Sequence, residues 1–215
     1  RPVIGALADT CSFLELGEYH ATGLITGFLR IEGRATAVMA NNPHHLGGAL
    51  DAAASAEGAS FLELCAQFKL PVLSLCDTPG FMVGPQSETQ GAVKAAADFI
   101  GAATALTAPL IFVCLRKGYG IGAQAMAGGS FAAPACTLSW PTGEFGAWGL
   151  EGGVRLGYRK EIAAEPTPEA QQVLYETLVA DAYQKGQAIN VASLNEIDAV
   201  IDPADTRNWI VKMMR

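Results

Sequence analysis

Two stretches hold residues whose types and spacing could do chemistry. The first is Ala108–Ser130, APLIFVCLRKGYGIGAQAMAGGS: an apolar run Pro109–Leu115, then Arg116-Lys117, then glycines at 118, 120 and 122 around Tyr119 and Ile121. Ala123–Ala127 follows, small residues of good helix propensity. Strand, glycine turn and helix start is the simplest reading. A helix opening straight after glycines leaves backbone N–H groups pointing outward, and glycine admits another molecule close to them. Such amides suit a developing negative oxygen. Ile121, Gly122 and Ala123 would supply them; the competing reading is a tight turn that needs positive φ. The P-loop pattern is absent, as is the acidic residue that follows a dinucleotide fingerprint.

The second stretch, Leu70–Gly84, LPVLSLCDTPGFMVG, repeats the arrangement, with strand Pro71–Cys76 running into Asp77-Thr78-Pro79-Gly80-Phe81. Asp77 reads as a turn residue that binds backbone N–H groups, ahead of a metal ligand or general base. His44-His45 could act as acid and base, but neighbours in a loop point different ways and read as polar surface. No G-x-S-x-G marks a serine nucleophile. Trp140 and Trp148 read as core or interface aromatics. Glu151 and Arg155 stand at the spacing of a helical ion pair.

These loops must be positioned by alternating strands and helices. Runs apolar at every position fit parallel strands covered on both faces. Between them Glu88–Thr107 reads as one helix with Val93, Ala97, Ile100 and Thr104 on its apolar stripe, making a right-handed βαβ step. Both loops then lie at the carboxyl ends of adjacent strands, where open α/β sheets place their sites. Upstream, Ser12–Leu16 reads as a short strand or turn, and Leu24–Leu29 with Ala35–Ala40 as a hairpin turning at Glu32-Gly33. Asn41–Gly48 reads as a loop. Leu50–Lys69 reads as a helix whose face is Ala52, Ala56, Phe61, Leu64, Cys65 and Phe68. Downstream, Cys136–Ser139 is a strand, and glycine-rich 143–157 a structured loop or broken helix. Tyr158–Gly186 is helical with a break at Glu165–Pro168. The last helix is Thr206–Met214, capped by Asp202 or Asp205. The expectation is one α/β domain over residues 1–215.

Composition narrows the function. Of 215 residues, 50% are hydrophobic and 16% charged, so part of the surface is expected to be covered by a partner. A net charge of −7 argues against nucleic acid as a partner, because no basic patch exists to release its counterions. No apolar run approaches the ~20 residues that span a bilayer, and no leader pattern is visible. Five cysteines without C-x-x-C spacing fit reduced structural thiols in a cytoplasmic protein, with no metal site.

Several motifs together carry a resemblance over nearly the whole chain. Ser12–Leu16, Asn41-x-Pro43, Gly48-x-Leu50-Asp51, Asp77–Phe81 with Gly84, Arg116-Lys117-x-Tyr119-Gly120, Trp140-Pro141-Thr142-x-Glu144 and Ile201–Arg207 occur in that order. This set resembles the carboxyltransferase (beta) subunit of biotin-dependent acyl-CoA carboxylases, in its C-terminal half. The resemblance implies a crotonase-like (ClpP-type) α/β fold, a spiral of βαβ units with helices around a twisted sheet. It implies transfer of CO2 from carboxybiotin to an acyl-CoA through an enolate held by backbone oxyanion holes. Carried over by position, Gly120, Ile121, Gly122 and Ala123 are the catalytic group. Gly80 and Phe81 form the facing wall, and Tyr119, Trp140 and Thr142 complete the substrate and biotin contacts. The implied partners are a biotin carboxyl carrier domain, a biotin carboxylase, the N-terminal carboxyltransferase half and further copies in a homo-oligomer. Two alternatives stand beside it: a biotin-dependent acyl-CoA decarboxylase subunit, and a non-catalytic scaffold domain of a carboxylase complex.

Overall fold

A computed structural model describes residues 1–214. The strands are β1 (Leu14–Leu16), β2 (Leu24–Ile31), β3 (Arg34–Asn41), β4 (Val72–Thr78), β5 (Leu110–Tyr119), β6 (Cys136–Ser139), β7 (Glu144–Gly146) and β8 (Ala199–Val200). They form one sheet in the order β1-β2-β3-β4-β5-β6-β8, with β7 laid against β5. β1, β2 and β3 pair antiparallel, and every later pair is parallel. The hairpin between β2 and β3 turns at Glu32 and Gly33, both at positive φ (50° and 75°), as a two-residue primed turn requires.

The helices are α1 (Pro2–Leu7), α2 (Ala52–Phe68), α3 (Pro85–Thr89), α4 (Ala92–Ala105), α5 (Gly120–Met126), α6 (Leu150–Gly157), α7 (Arg159–Ala164), α8 (Pro168–Gly186), α9 (Ala188–Ser193) and α10 (Thr206–Met213). Side chains alternate between two cores. Along β5, Leu110, Phe112 and Cys114 face a core built with α2, α4, α5 and α9. Ile111 and Val113 face the opposite core, which Ile4 of α1 and Ile210 of α10 cover. This is the succession of parallel βαβ units expected of a crotonase-like spiral.

Several local readings shift. The segment expected as one helix over 88–107 starts at Pro85 and breaks at Gly91, which adopts left-handed geometry (φ 78°). Its buried stripe is Ala92, Phe99 and Ala103, whereas Val93 is exposed, because packing on α2 sets the register and the alanines alone did not. In α2 the same happens: Leu62 is buried, while Phe68 lies out at the helix end. Gly58 explains the geometry there, since a Cβ would meet the Phe99 ring at 2.7 Å. The glycine-rich stretch after Pro141 is a short strand, β7, followed by a regular helix, α6, stabilised by packing on α8. Glu151 and Arg155 do not pair: Tyr183 donates to Glu151, and Arg155 lies 4.6 Å from the Tyr175 ring centre. The break before α8 is as read, with Thr167 accepting from Ala170 N–H and proline at the first turn. The final helix starts with Asp205 at its N-cap but without a side-chain bond, while Asp202 caps the preceding 3-10 turn.

Candidate functional site

The ends of β4 and β5 bring the two loops together. β4 is buried along its whole length and stops at Thr78. Asp77 accepts from Arg116 Nε (3.2 Å) and Nη2 (3.0 Å) and from the Lys117 amide (3.2 Å). Its own N–H donates to Asn41 Oδ1, so it ties β3, β4 and β5. This is the turn-fixing role. Both carboxylate oxygens are engaged in holding the turn. The guanidinium of Arg116 titrates higher still because it hydrogen-bonds Asp77. Beyond Thr78, its Oγ1 accepts from the Gly80 N–H, and the next turn is pinned to Leu50 through Leu50 N–H to Gly80 O (3.0 Å) and Met82 N–H to Leu50 O (2.8 Å).

β5 does not end before the glycines, as the sequence suggests; it runs through Gly118 to Tyr119, and α5 begins at Gly120. Gly120 has φ 62°, and a Cβ there would lie 2.8 Å from the Ala147 carbonyl. A Cβ on Gly122 would lie 2.8 Å from the Cα and C of Gly80 and 3.0 Å from Phe81 N. One on Gly80 (φ 117°) would touch the Tyr119 carbonyl at 3.5 Å. The two loops thus meet backbone against backbone, and glycine is what permits it. In the first turn of α5 the amides of Gly120, Ile121 and Gly122 have no intrahelical acceptor, whereas Ala123 is the first residue whose N–H can reach back four positions.

Exposure sorts the sequence-predicted residues. Ile121 is 62% exposed and Gly120 half-buried, while Gly122 and Ala123 are buried. Gly120 and Ile121 line an open cavity of about 560 Å³ together with Gln124, Phe145, Ala147 and, from α8 and beyond, Lys185 and Glu196. Gly80 and Phe81 stand beside Gly122 and do not line this cavity. Tyr119 is 4% exposed, its hydroxyl donating to Glu144 Oε2 at 2.7 Å, so its side chain serves the wall rather than a ligand. Burial first, and Glu144 second, push that phenol well above its ordinary range. Trp140 and Thr142 lie elsewhere. They line a second cavity, about 690 Å³, with Asp77 and Arg116, on the α1 side of the sheet. Trp140 Nε1 donates to Thr206 and Thr142 donates to the Leu115 carbonyl, at 2.9 and 2.6 Å.

His44 and His45 diverge, His45 bonding Asp51 and Thr22. Sequence reasoning missed Lys185 and Glu196, which lie more than sixty residues downstream of Gly120 and carry no local motif. Gln124, one helical turn after Gly120, was available from spacing.

The fold and the paired backbone loops define a crotonase-like α/β domain with an open cavity beside the glycine turn that starts α5. The comparisons with known proteins name it: residues 1–215 match the model of the carboxyl transferase domain, and the chain belongs to that family. It is 36% identical over 214 residues to the methylmalonyl-CoA carboxyltransferase 12S subunit of Propionibacterium freudenreichii subsp. shermanii, spanning 100% of this chain and 40% of that one. To the propionyl-CoA carboxylase beta chain of Saccharopolyspora erythraea it is 34% identical over 223 residues, again 100% of this chain and 40% of the relative. Among solved structures, a single-chain, multi-domain long-chain acyl-CoA carboxylase matches with 50% identity and a TM-score of 0.87, over 98% of this chain and 20% of that one. The crystal structure of the transcarboxylase 12S hexamer matches with 33% identity and a TM-score of 0.91, over 99% of this chain and 40% of that one. The chain therefore spans about 40% of the length of the curated relatives.

Proposed function

We propose that this chain is the C-terminal, biotin-receiving domain of an acyl-CoA carboxyltransferase and that it is active together with an N-terminal carboxyltransferase half. The observation that carries the reading is the junction of the two glycine loops, where Gly122 packs on Gly80 and Phe81 and the neighbouring Gly120 and Ile121, at the start of α5, line the cavity. Backbone donors fixed this way need no reorganisation when charge develops on a carbonyl oxygen, and losing one such donor typically costs ~10²–10³ in rate. Gly80 and Phe81 already touch the backbone of Gly122, so a methyl on Gly122 would push the two loops apart and displace the first turn of α5. Carboxybiotin, carried on a separate carrier domain, would supply the CO2 and the base for the acyl α-proton. The chain's own part is to hold the carbonyl oxygen at Ile121 and Gly122, to keep the Asp77–Phe81 loop against it and to position both through Asp77 and Arg116.

A biotin carboxylase recharges the carrier, and the acyl-CoA binds chiefly on the N-terminal half. The exposed apolar residues Leu156, Val173, Ile189 and Leu194 are the surface for that half and for further copies of the chain. Among the described residues no helix is long and apolar enough to cross a membrane, and we place the reaction in the cytoplasm. Decarboxylation is the second reading of the same site, favoured by one relative, the methylmalonyl-CoA decarboxylase subunit alpha of Propionigenium modestum, which is 32% identical.

The test is calorimetric titration of biotin into the full-length protein. Saturable binding weakened at least tenfold by Gly122→Ala supports the reading. Binding unchanged by that substitution would move the biotin site elsewhere and favour a scaffold role for this domain.

A further inference from the structure

This inference rests on the amide reading just given. Tyr119 is both the last residue of β5 and the N-cap of α5, and it makes no side-chain cap bond. Its side chain instead turns into the protein, where the hydroxyl donates to Glu144 Oε2. Glu144 belongs to β7, which pairs with Lys117, Gly118 and Tyr119, the three residues that deliver the chain to α5. β7 is held from its other side as well. Ala188 N–H donates to Gly143 O at 2.9 Å, Glu144 bridges Gln187, and Gly186 lets the end of α8 close on the Phe145 carbonyl. Just past β7, the Ala147 carbonyl abuts Gly120. The start of α5 is thus gripped by β7 on one side and by Gly80 and Phe81 on the other.

We propose that Glu144 is a positioning residue for carboxyl transfer, holding the Tyr119 hydroxyl and through it the amides of Gly120, Ile121 and Gly122. Glu144 touches no reacting atom. Its carboxylate fixes the one side chain whose backbone both ends the strand and opens the helix. Without that bond the buried phenol keeps its packing but loses its only side-chain hydrogen bond among the described residues. The first turn of α5 is then free to shift toward the cavity. Misplacing a catalytic group by about 1 Å can cost about a hundredfold in rate.

Three variants of the full-length protein test this, with carboxylated carrier and an acyl-CoA as substrates. Tyr119→Phe and Glu144→Leu should each lower kcat about tenfold or more and leave KM for the acyl-CoA within about twofold. The double variant should be no slower than the worse single one, because both remove the same bond. Glu144→Gln, which keeps a carbonyl acceptor at the same reach, should restore most of the rate. Rates that stay at the parent level in both single variants, or losses that multiply in the double one, would overturn the proposal. So would losses confined to melting temperature, or a rise in KM alone. Biotin binding by Gly122→Ala, measured in parallel, separates the two ideas. If it is weakened while Tyr119→Phe and Glu144→Leu are fully active, only the Glu144 inference fails; if it is unchanged, the amide reading itself fails.

Discussion

Gly122→Ala should cost little to moderate stability and be severe in activity. Its backbone is helical and its φ unexceptional, so alanine is allowed and gains about 1 kcal/mol of helix propensity over glycine. Against this, the added methyl would lie 2.8 Å from the Cα and C of Gly80 and 3.0 Å from Phe81 N. Ordinary contact begins near 3.4 Å, so the Asp77–Phe81 loop must retreat by roughly half an ångström, and overpacking of this kind costs about 1–3 kcal/mol. The balance is a destabilisation of about 0–2 kcal/mol. The loop is pinned by Leu50 and by Thr78, so the retreat is shared with the first turn of α5, and the amide cradle changes shape. A loss of about 10²-fold in carboxyl transfer is expected, the size that follows from displacing or losing one such donor. Thermal melting and steady-state transfer on the same preparation of full-length protein decide it. A variant that melts within a few degrees of the parent and transfers at the parent rate would refute the assignment of these amides.

Three further outcomes follow from the geometry. Gly48→Ala should destabilise by more than about 3 kcal/mol, since φ is 93° and the new Cβ would run into the Asp77 carbonyl; Gly47→Ala, in open space at φ 64°, should cost only about 1–2 kcal/mol, both read by chemical denaturation. Asp9, tied first by Arg207 and then by the amides of Gly33 and Glu32, is held below its usual 3.8, so its contribution is present above that value and fades as pH falls through the lower folded one. Asp9→Asn should flatten that acid-side loss of stability, and an unchanged pH profile would show the tie to be idle. Burial pushes the Cys65 thiol up to about 12 and Cys136 to about 11 and raises Cys76 well above its ordinary value, and of the five thiols only Cys11 is exposed, so at pH 8 a thiol reagent should titrate Cys11 alone in the folded chain and all five after unfolding.

Much of the fold was legible because Val72–Cys76 in β4 and Leu110–Leu115 in β5 are apolar at nearly every position and follow a proline, a pattern that fits a parallel strand covered on both faces. The Glu32–Gly33 turn and the Thr167–Pro168 helix start were equally plain, since local chemistry dictates both. Helix faces were harder. In an alanine-rich segment such as α4 every register looks apolar, and it is Phe99 meeting Gly58 across the helix pair that selects one. At the site, the glycine loops could be read from spacing, but their contact through Gly122 and Gly80 is a property of neighbouring strand ends that no local window contains. Trp140 and Thr142 follow a strand adjacent to β5, yet they line the cavity on the opposite face, because successive residues of a strand alternate sides. Lys185 and Glu196 reach the first cavity only through the return of α8 and the segment after it.

The central claim is that this domain takes part in moving a carboxyl group between biotin and an acyl-CoA. The most direct measurement is single-turnover transfer of labelled CO2 from a carboxylated carrier domain, by the full-length protein, to acyl-CoAs from acetyl to long chain. The account predicts label in the acyl-CoA product for at least one chain length, lost with Gly122→Ala. Label that stays on the carrier with every acyl-CoA, from a protein that is folded and binds its carrier, would contradict it.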